Sequence, residues 1–313
     1  MSGVAFLFPG QGSQHPGMGC ALASLWPECR EVFRVADEAL GIPLSRTCFE
    51  GSEADLARTE TTQPAILTAS VAALRGLERF GVRPVAAAGH SLGEYSAHVA
   101  AGTLAFEDAV RTVRLRGRFM QEAVPEGVGA MAAILGLEAA VVDRICREAA
   151  HGEVVAPANF NGGGQVVISG DVAAVRRASE RAIEAGARRA VPLPVSAPFH
   201  CALMEPAAAR LGPVLRETAF RDPAFPVFTN VDAKPVRTGI DARDALLRQV
   251  ASPVRWEDLI RGMVDSGIDT FVEVGPGRVL AGLVRRIRKE ARVLPAAEPA
   301  EIEATARELR GGA

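Results

Sequence analysis

Several features that mark secreted, membrane and nucleic-acid-binding proteins are missing from this sequence. No apolar run approaches the length that a transmembrane helix needs, and the N-terminus lacks a charged segment before an apolar one. The formal net charge of -2 at pH 7 provides no broad positive field for nucleic acid or an anionic membrane. We therefore expect a cytoplasmic protein that binds neither nucleic acid nor membrane.

Disulfide and metal signals are missing as well. The five cysteines are scattered and odd in number, and no two have the spacing of metal ligands, so we expect reduced thiols and no metal site. The Gly-x-Gly-x-x-Gly and Walker patterns of nucleotide-binding loops are absent, and no internal repeat stands out. The 313 residues are 48% hydrophobic and 23% charged, which is ordinary for a globular protein of one large domain or two.

The most informative short motif is Gly-His-Ser-Leu-Gly at residues 89–93. In a strand-to-helix elbow the serine adopts a sharp, strained turn, and the two glycines let strand and helix approach without Cβ clashes. The flanks agree, because residues 85–88 predict a short buried strand and residues 92–101 predict a helix that ends before Gly102. Ser91 is therefore a candidate nucleophile, and a tight structural turn is the alternative.

Apolar runs and helical patterns alternate along the chain and predict an α/β fold. Residues 4–8 predict a buried strand, which a glycine-rich loop follows. Helical patterns occupy roughly 20–40 and 64–80, and Pro64 suits the first turn of the second helix. Residues after about 297 predict a loose tail.

The middle of the chain follows a different order. Residues 129–195 predict the succession β-α-β-β-α-β, which is the pattern of a ferredoxin-like unit. We therefore predict a small domain at 128–196, inserted into a large discontinuous domain made of residues 1–127 and 197–313. The large domain is expected to contain a parallel sheet with helices on both faces.

A nucleophilic serine needs a base, and the chain has five histidines. His90 adjoins Ser91, so in an elbow its ring points away from the hydroxyl, and His98 lies within the following helix; both are interpreted as packing residues. His200 lies at a predicted strand-to-helix junction, where α/β sheets place their sites. His200 is the candidate base, with a core or capping histidine as the alternative.

Negative charge on a reacting oxygen needs N–H donors. In an elbow the first donor is the amide after the nucleophile, here that of Leu92, and the second comes from a nearby strand-to-helix loop. Residues 9–12, Pro-Gly-Gln-Gly, are the candidate for the second donor because their glycines allow close approach. A loop that cradles phosphate is the alternative.

Arg116 is the most informative charged residue. Four arginines occur in the helix predicted from about 106 to 123, and at 100° per residue Arg116 lies on the apolar stripe, opposite the other three. A guanidinium at such a position is costly unless a partner pairs with it. Either a protein carboxylate pairs with Arg116, or a cavity receives an anionic ligand, for which the two-pronged guanidinium suits a carboxylate.

Longer strings surround these residues and extend over nearly the whole chain. They are FPGQGSQ, TQPAI, GHSLGEYSA, LRGRFMQEAVP, GAMAAILGL, NFNGGGQVVISG, FHCALMEPA, TNVDAKPV, QVASPVRW and EVGPG. With Ser91, Arg116 and His200 in this order, the chain resembles the malonyl-CoA:acyl carrier protein transacylases of fatty acid synthesis. It also resembles, less closely, the acyltransferase domains of polyketide synthases.

The resemblance implies a role for each matching residue. Ser91 would be the acylated nucleophile and His200 its base. A backbone carbonyl, which matches Gln249, would orient the histidine where a triad uses an acid. The oxyanion donors would be the backbone N–H groups of Gln11 and Leu92.

The resemblance also implies how the acyl group is selected. Arg116 matches the arginine that binds the malonyl carboxylate. Phe199 is a departure, because closer relatives often have serine before the histidine, whereas malonyl-selective polyketide domains have phenylalanine. Phe199 therefore leaves open whether the product enters fatty acids or a polyketide.

The fold that the resemblance implies is an α/β-hydrolase-like domain with a ferredoxin-like insert. The reaction is ping-pong: Ser91 attacks the malonyl-CoA thioester, coenzyme A leaves, and the phosphopantetheine thiol of holo acyl carrier protein attacks the acyl-serine. His200 accepts the proton in each half, and no metal or redox cofactor is implied. A serine hydrolase and a non-catalytic carrier-protein docking module are the rival interpretations.

Overall fold

The computed structural model describes residues 3–195 and 197–311 of the chain. Its strands are β1 (Gly3–Phe8), β2 (Ala86–Gly89), β3 (Gly129–Leu135), β4 (Val155–Gly162), β5 (Gln165–Asp171), β6 (Arg189–Pro192), β7 (Val227–Phe228), β8 (Pro235–Val236), β9 (Ile268–Val274) and β10 (Arg292–Ala296). Six of them form one sheet in the order β10-β9-β1-β2-β7-β8, in which every neighbouring pair is parallel except β7 and β8. The predicted α/β fold with a parallel sheet is confirmed.

Helices lie between most of these strands and follow the last one. They are α1 (Cys20–Leu25), α2 (Pro27–Leu40), α3 (Leu44–Glu50), α4 (Glu53–Ala57), α5 (Thr59–Arg79), α6 (Gly93–Ala100), α7 (Phe106–Glu122), α8 (Ala139–Ala149), α9 (Val172–Glu184), α10 (Glu205–Glu217), α11 (Gly239–Gln249), α12 (Trp256–Asp265), α13 (Val279–Ile287) and α14 (Pro299–Gly311). A short 3₁₀ turn, Ala202–Met204, precedes α10. Among the described residues, no helix combines the length and the apolar character that crossing a membrane requires.

The central strand β1 explains how the large sheet is covered. Its residues Ala5, Phe6, Leu7 and Phe8 are all fully buried. Successive side chains of a strand point to opposite faces, and accordingly Phe6 and Phe8 belong to one hydrophobic core, while Ala5 and Leu7 belong to a second. A strand that is apolar on both faces is typical of a parallel sheet with helices on both sides.

Residues 129–192 form a smaller body with its own antiparallel sheet, in the order β4-β5-β3-β6. Helices α8 and α9 cover one face and share a separate hydrophobic core with it. The smaller body is joined to the larger one through Val254, whose backbone N–H donates to Ala158 O at 2.8 Å and whose carbonyl accepts from Phe160 N–H at 2.9 Å. This contact aligns β4 beside the loop that precedes α12.

Helix α5 begins five residues earlier than the sequence pattern indicates. The prediction of a helix from 64 with Pro64 in its first turn is wrong, because α5 starts at Thr59 and Pro64 lies inside it. Proline in a helix interior is costly. The helix tolerates it because almost every residue from Thr62 to Leu74 is buried, so tertiary packing outweighs local propensity.

The prediction of a loose tail after about residue 297 is also wrong. Residues 299–311 form α14, and Ile302 and Ala306 are buried in the core that lies beneath α5. Thr305 Oγ1 donates to Pro295 O of β10 at 2.7 Å, and Arg310 Nη2 donates to Phe80 O at 2.6 Å. The buried face of α14 therefore packs residues 299–311 against α5 and β10.

The packing of α14 generates a stability prediction. We expect Ile302→Ala to lower the free energy of unfolding by about 2–5 kcal/mol, because Ile302 is fully buried beside Gly76. Glu303→Ala, on the exposed face of the same helix, should change it by less than about 0.5 kcal/mol. Urea unfolding of the two variants measures the difference, and equal stability would mean that α14 does not contribute to the core.

Candidate active site

The elbow predicted at residues 89–93 is present between β2 and α6. Ser91 has a backbone φ of 51°, a left-handed conformation that is uncommon for a residue other than glycine. A Cβ at Gly89 would overlap the backbone of Gly93, and a Cβ at Gly93 would overlap the carbonyl of Phe8. The two glycines are therefore required because the strand, the elbow and the helix approach each other at backbone distance.

His200 lies against the serine hydroxyl. Its Nε2 is 2.7 Å from Ser91 Oγ, and its Nδ1 is 3.0 Å from Gln249 O and 3.2 Å from Ser252 O. Because carbonyl oxygens only accept hydrogen bonds, Nδ1 carries the proton, and the lone pair of Nε2 is free to accept the proton of Ser91. The pair thus has the geometry of a nucleophile and its base. No carboxylate of the described residues contacts the ring.

The electrostatics keep His200 neutral. Burial, and then the positive charge of Arg116, lower the pKa of His200 to about 3. Hydrogen bonds from the ring to Gln249 O and Ser252 O oppose this shift but do not outweigh it. A base whose pKa lies far below neutrality is unprotonated over the physiological range.

Arg116 is 1% exposed and faces the same serine. Its Nη1 donates to Gln63 Oε1 at 2.8 Å, and its Nη2 donates to Gln249 Oε1 at 2.9 Å and to Ser91 Oγ at 3.2 Å. Nε has no hydrogen-bond partner, and no carboxylate of the described residues forms an ion pair with this guanidinium. Of the two partners that the sequence left open for Arg116, a protein carboxylate is therefore not in contact with it.

Two residues that the sequence analysis did not single out support the elbow. Asn230 Oδ1 accepts from Ser91 N–H at 2.6 Å, and its Nδ2 donates to Gly89 O at 2.7 Å. The backbone N–H of Asn230 in turn donates to Glu94 Oε2 at 2.9 Å. The available signal was a polar Thr-Asn pair directly after the apolar run of β7, the strand next to β2.

The glycine-rich loop after β1 lies against the elbow. His90 N–H donates to Phe8 O at 3.0 Å, and a Cβ at Gly10 would overlap the carbonyl of His90. Gln11 follows, and its side-chain amide is 3.4 Å from Thr59 Oγ1. Within residues 3–195 and 197–311, the backbone N–H groups of Gln11 and Leu92 have no hydrogen-bond acceptor.

A cavity of about 430 Å³ opens above Ser91 and His200. Gln11, Phe199 and Asn159 also line it, so both bodies of the protein contribute to its wall. A larger groove of about 650 Å³ runs along β6 and the loop before β5, but no candidate nucleophile lines it. The position of the serine and histidine, rather than size, identifies the smaller cavity as the candidate site.

His90 and His98 are packing residues, as the sequence predicted. His90 points away from the hydroxyl, is 2.9 Å from Asn161 Oδ1, and packs against Trp256. His98 is fully buried in α6. In the part of the chain that the structure describes, no three histidine, cysteine, aspartate or glutamate side chains are grouped as metal ligands would be. The absence of a metal or redox cofactor from the reaction stays a prediction.

A parallel-sheet fold with a serine on an elbow and a histidine against its hydroxyl is the arrangement of enzymes that form an acyl-serine. The sequence matches the family described as acyl transferase domain over residues 5–308. The chain therefore belongs to the acyl transferase domain family.

Within this family, the chain is similar to malonyl-CoA transacylases. The chain is 52% identical over 288 residues to a malonyl CoA-acyl carrier protein transacylase of Escherichia coli strain K12, which covers 92% of this chain and 93% of the relative. The solved structure of a malonyl CoA-acyl carrier protein transacylase from Coxiella burnetii matches with a TM-score of 0.96 at 45% identity and 98% coverage of both chains. A malonyl-transacylase solved in complex with its type II polyketide synthase acyl-carrier protein matches with a TM-score of 0.96 at 46% identity, covering 98% of this chain and 100% of that chain.

The low pKa of His200 generates a prediction about pH. Because its pKa is lowered, His200 stays neutral and able to accept a proton down to acidic pH. The rate at which an uncharged, serine-directed phosphonofluoridate labels Ser91 should therefore be the same at about pH 8 and at about pH 5. A histidine with an ordinary pKa near 6.5 would lose roughly 30-fold over this range. Intact mass spectrometry over time measures the labelling rate at each pH, and Ser91→Ala is the control that should not be labelled. A labelling rate that falls around pH 6.5 would contradict the argument that burial lowers the pKa of His200.

Proposed function

We propose that this chain transfers the malonyl group from malonyl-CoA to the phosphopantetheine thiol of acyl carrier protein, and so supplies fatty acid synthesis. The observation that carries the proposal is Arg116, a buried cation with no carboxylate partner among the described residues, whose Nη2 lies 3.2 Å from Ser91 Oγ. An anionic acyl group bound at Ser91 would meet this charge. The names of the relatives support the same substrate and acceptor.

In the first half-reaction Ser91 Oγ attacks the thioester carbonyl of malonyl-CoA, and His200 Nε2 accepts its proton. The 2.7 Å contact between these atoms supports this assignment. Collapse of the tetrahedral intermediate returns that proton to the departing sulfur, so coenzyme A leaves as the thiol. In the second half-reaction the carrier protein's thiol attacks the malonyl-serine, and His200 accepts the thiol proton. The bond between the acyl carbon and Ser91 Oγ then breaks, and His200 returns the proton to Ser91 Oγ.

The negative charge on the carbonyl oxygen would be stabilised by the backbone N–H groups of Gln11 and Leu92. Both donors lack an acceptor within the described ranges, and Gln11 lines the cavity beside Ser91. Leu92 directly follows the nucleophile, which is the usual position of the first oxyanion donor in an elbow.

Arg116 would bind the malonyl carboxylate with its guanidinium, because a two-pronged donor matches a carboxylate geometrically. Gln249 would contribute twice, through its backbone carbonyl to His200 and through its side chain to Arg116. Phe199, which is 8% exposed and lines the cavity, would crowd an α-methyl group and so disfavour methylmalonyl.

The smaller body would be a ferredoxin-like insertion in an α/β-hydrolase-like domain. Its strand order β4-β5-β3-β6 and its two helices on one face support the first part. The core that α8 and α9 share with one face of the small sheet supports domain bounds at 1–127 with 197–313 and at 128–196. Met131, Ala133 and Val167 on the other face of that sheet belong to the core of the larger body. Residues 1–2, 196 and 312–313 of these bounds lie outside the described residues.

Holo acyl carrier protein is the proposed acceptor, and a type II polyketide synthase carrier is the alternative. The solved complex of a related malonyl-transacylase with its polyketide carrier, and the phenylalanine at position 199, are the observations on which that alternative rests. A cytoplasmic location is proposed on the five cysteines, all of which are free thiols. That the chain binds neither nucleic acid nor membrane stays a prediction.

Ser91 provides the test that separates the rival functions. With malonyl-CoA, the wild-type chain should gain one malonyl adduct that holo acyl carrier protein removes, whereas Ser91→Ala should show no adduct and lower transfer by at least roughly 10³-fold. Intact mass spectrometry with and without carrier protein measures both. An adduct lost to water alone would indicate a hydrolase, absence of an adduct on the wild type would indicate a docking module, and a labelled Ser91→Ala variant would exclude Ser91.

Arg116 provides the test of substrate choice. Arg116→Ala should lower kcat/KM for malonyl-CoA by the equivalent of about 2–5 kcal/mol in transition-state stabilisation. The preference for malonyl-CoA over acetyl-CoA should then be lost, because acetyl has no carboxylate to pair with the guanidinium. Arg116→Lys should rescue only partly, since a point charge cannot make a two-pronged contact. The measurement is kcat/KM for both thioesters, with Arg111→Ala on the exposed side of α7 as the matched control. An unchanged malonyl-to-acetyl ratio would reduce Arg116 to a structural residue.

A further inference from the structure

Glu94, in the first turn of α6, is a fully buried carboxylate directly behind the site. Its Oε2 accepts two hydrogen bonds, from Asn230 N–H at 2.9 Å and from Gln249 Nε2 at 2.8 Å. Its Oε1 has no hydrogen-bond partner among the described residues, and the nearest cationic candidate, His98 Nε2, is 3.9 Å away. A buried acid with one free oxygen requires an explanation beyond packing.

The carboxylate of Glu94 is one of three acceptors that orient the side-chain amide of Gln249. Gln249 Nε2 faces acceptors only: Ser91 O at 2.9 Å, Glu94 Oε2, and Asn230 Oδ1 at 3.4 Å. Its Oε1 faces the N–H of Arg116. The reversed amide would place oxygen against oxygen and N–H against N–H, so the acceptors around Nε2 determine that Gln249 presents its oxygen to the guanidinium.

Gln249 also separates the two charges. Arg116 is contacted by neutral oxygens from Gln63, Gln249 and Ser91, while Glu94 contacts Gln249 on its other end. A direct pair between Glu94 and Arg116 would satisfy the guanidinium and compete with an incoming carboxylate. Because the amide of Gln249 lies between them, Glu94 acts on the arginine without occupying its N–H groups.

We propose that Glu94 is a positioning residue for acyl-group selection, which acts through the side chain of Gln249 on Arg116. The proposal rests on the function proposed above for Arg116. It predicts two separable contributions, one from the hydrogen bond that Glu94 accepts and one from the negative charge that it carries when ionised.

The charge contribution has a defined direction. Burial raises the pKa of Glu94 to about 7, against the hydrogen bonds from Asn230 and Gln249 and the charge of Arg116, which lower it. A raised pKa means that Glu94 is protonated below about pH 7 and negative above it. The negative form partly compensates Arg116 and repels a second carboxylate, so selection for malonyl should weaken as the pH rises through 7.

Other ionisable groups around Glu94 do not change this direction. The negative charge of Asp232, after β7, further raises the pKa of Glu94. The charge of Glu94 in turn raises the pKa of Arg248 on α11, which stays positive. On α6 itself, burial raises the pKa of Tyr95 and lowers that of His98 to about 3, so both stay neutral near pH 7.

The experiment measures the ratio of kcat/KM for malonyl-CoA to that for acetyl-CoA between about pH 6 and pH 8.5. The ratio cancels titration of the coenzyme A phosphate, which both substrates share. For the wild type we expect the ratio to fall by about threefold or more above pH 7. Glu94→Gln retains an oxygen for both N–H donors but cannot ionise, so its ratio should stay high and independent of pH.

Glu94→Ala removes the acceptor as well, and its ratio should fall by at least about tenfold at every pH, with acetyl transfer less affected. Ser96→Ala is the matched control and should keep the wild-type ratio. It removes a buried hydroxyl group of α6 that, like Glu94 Oε1, has no hydrogen-bond partner among the described residues. Thermal unfolding identifies variants that do not fold.

The outcomes are distinguishable. A folded Glu94→Ala variant with the wild-type ratio overturns the positioning role of Glu94. If that variant does not fold, a Glu94→Gln profile that still falls above pH 7 overturns it instead. If Arg116→Ala leaves the malonyl-to-acetyl ratio unchanged, the proposed function of Arg116 is wrong, and the role of Glu94 is wrong with it. If the ratio falls in Arg116→Ala but not in Glu94→Ala, only the role of Glu94 is refuted.

Discussion

The buried positive charge of Arg116 is the constraint on which the rest of the site depends. A guanidinium that is 1% exposed must be solvated by protein groups, because an unpaired buried charge costs several kcal/mol. Here the oxygens of Gln63, Gln249 and Ser91 provide that solvation, and they come from α5, α11 and the elbow after β2. The charge can therefore be buried only when these three parts of the fold have already packed together, so the site forms with the core.

His200 is oriented by neutral groups, as Arg116 is. A carboxylate beside the ring of His200 would add a negative charge close to Arg116 and raise the pKa of the base. The two backbone carbonyls that face Nδ1 fix the tautomer without adding a charge. The groups that orient His200 therefore add no negative charge beside Arg116. Glu94, a carboxylate behind this region, is linked to the arginine through the neutral amide of Gln249.

The parallel sheet supplies the rigid frame for these contacts. The carboxyl ends of β1 and β2 meet at one edge, where parallel sheets place their ligands. The loop after β1 and the elbow after β2 touch at backbone distance, which requires glycine at positions 10, 89 and 93. The smaller body closes the other side of the cavity through β4, which Val254 joins to the large body. Strain at Ser91 is tolerated because this frame fixes its neighbours.

The sequence by itself determined the features that depend on local pattern: the buried run of β1, the glycine spacing of the elbow, the β-α-β-β-α-β order of the middle segment, and the place of Arg116 on an apolar stripe. Periodicity shows which face of an element is buried, but not which group it meets there. The contacts of Asn230 and Gln249 with the elbow join residues 139 and 158 positions apart, and only the tertiary structure decided them. The same holds for α14 and for Pro64 inside α5, where burial against distant residues outweighs the local signals of a tail and a helix start.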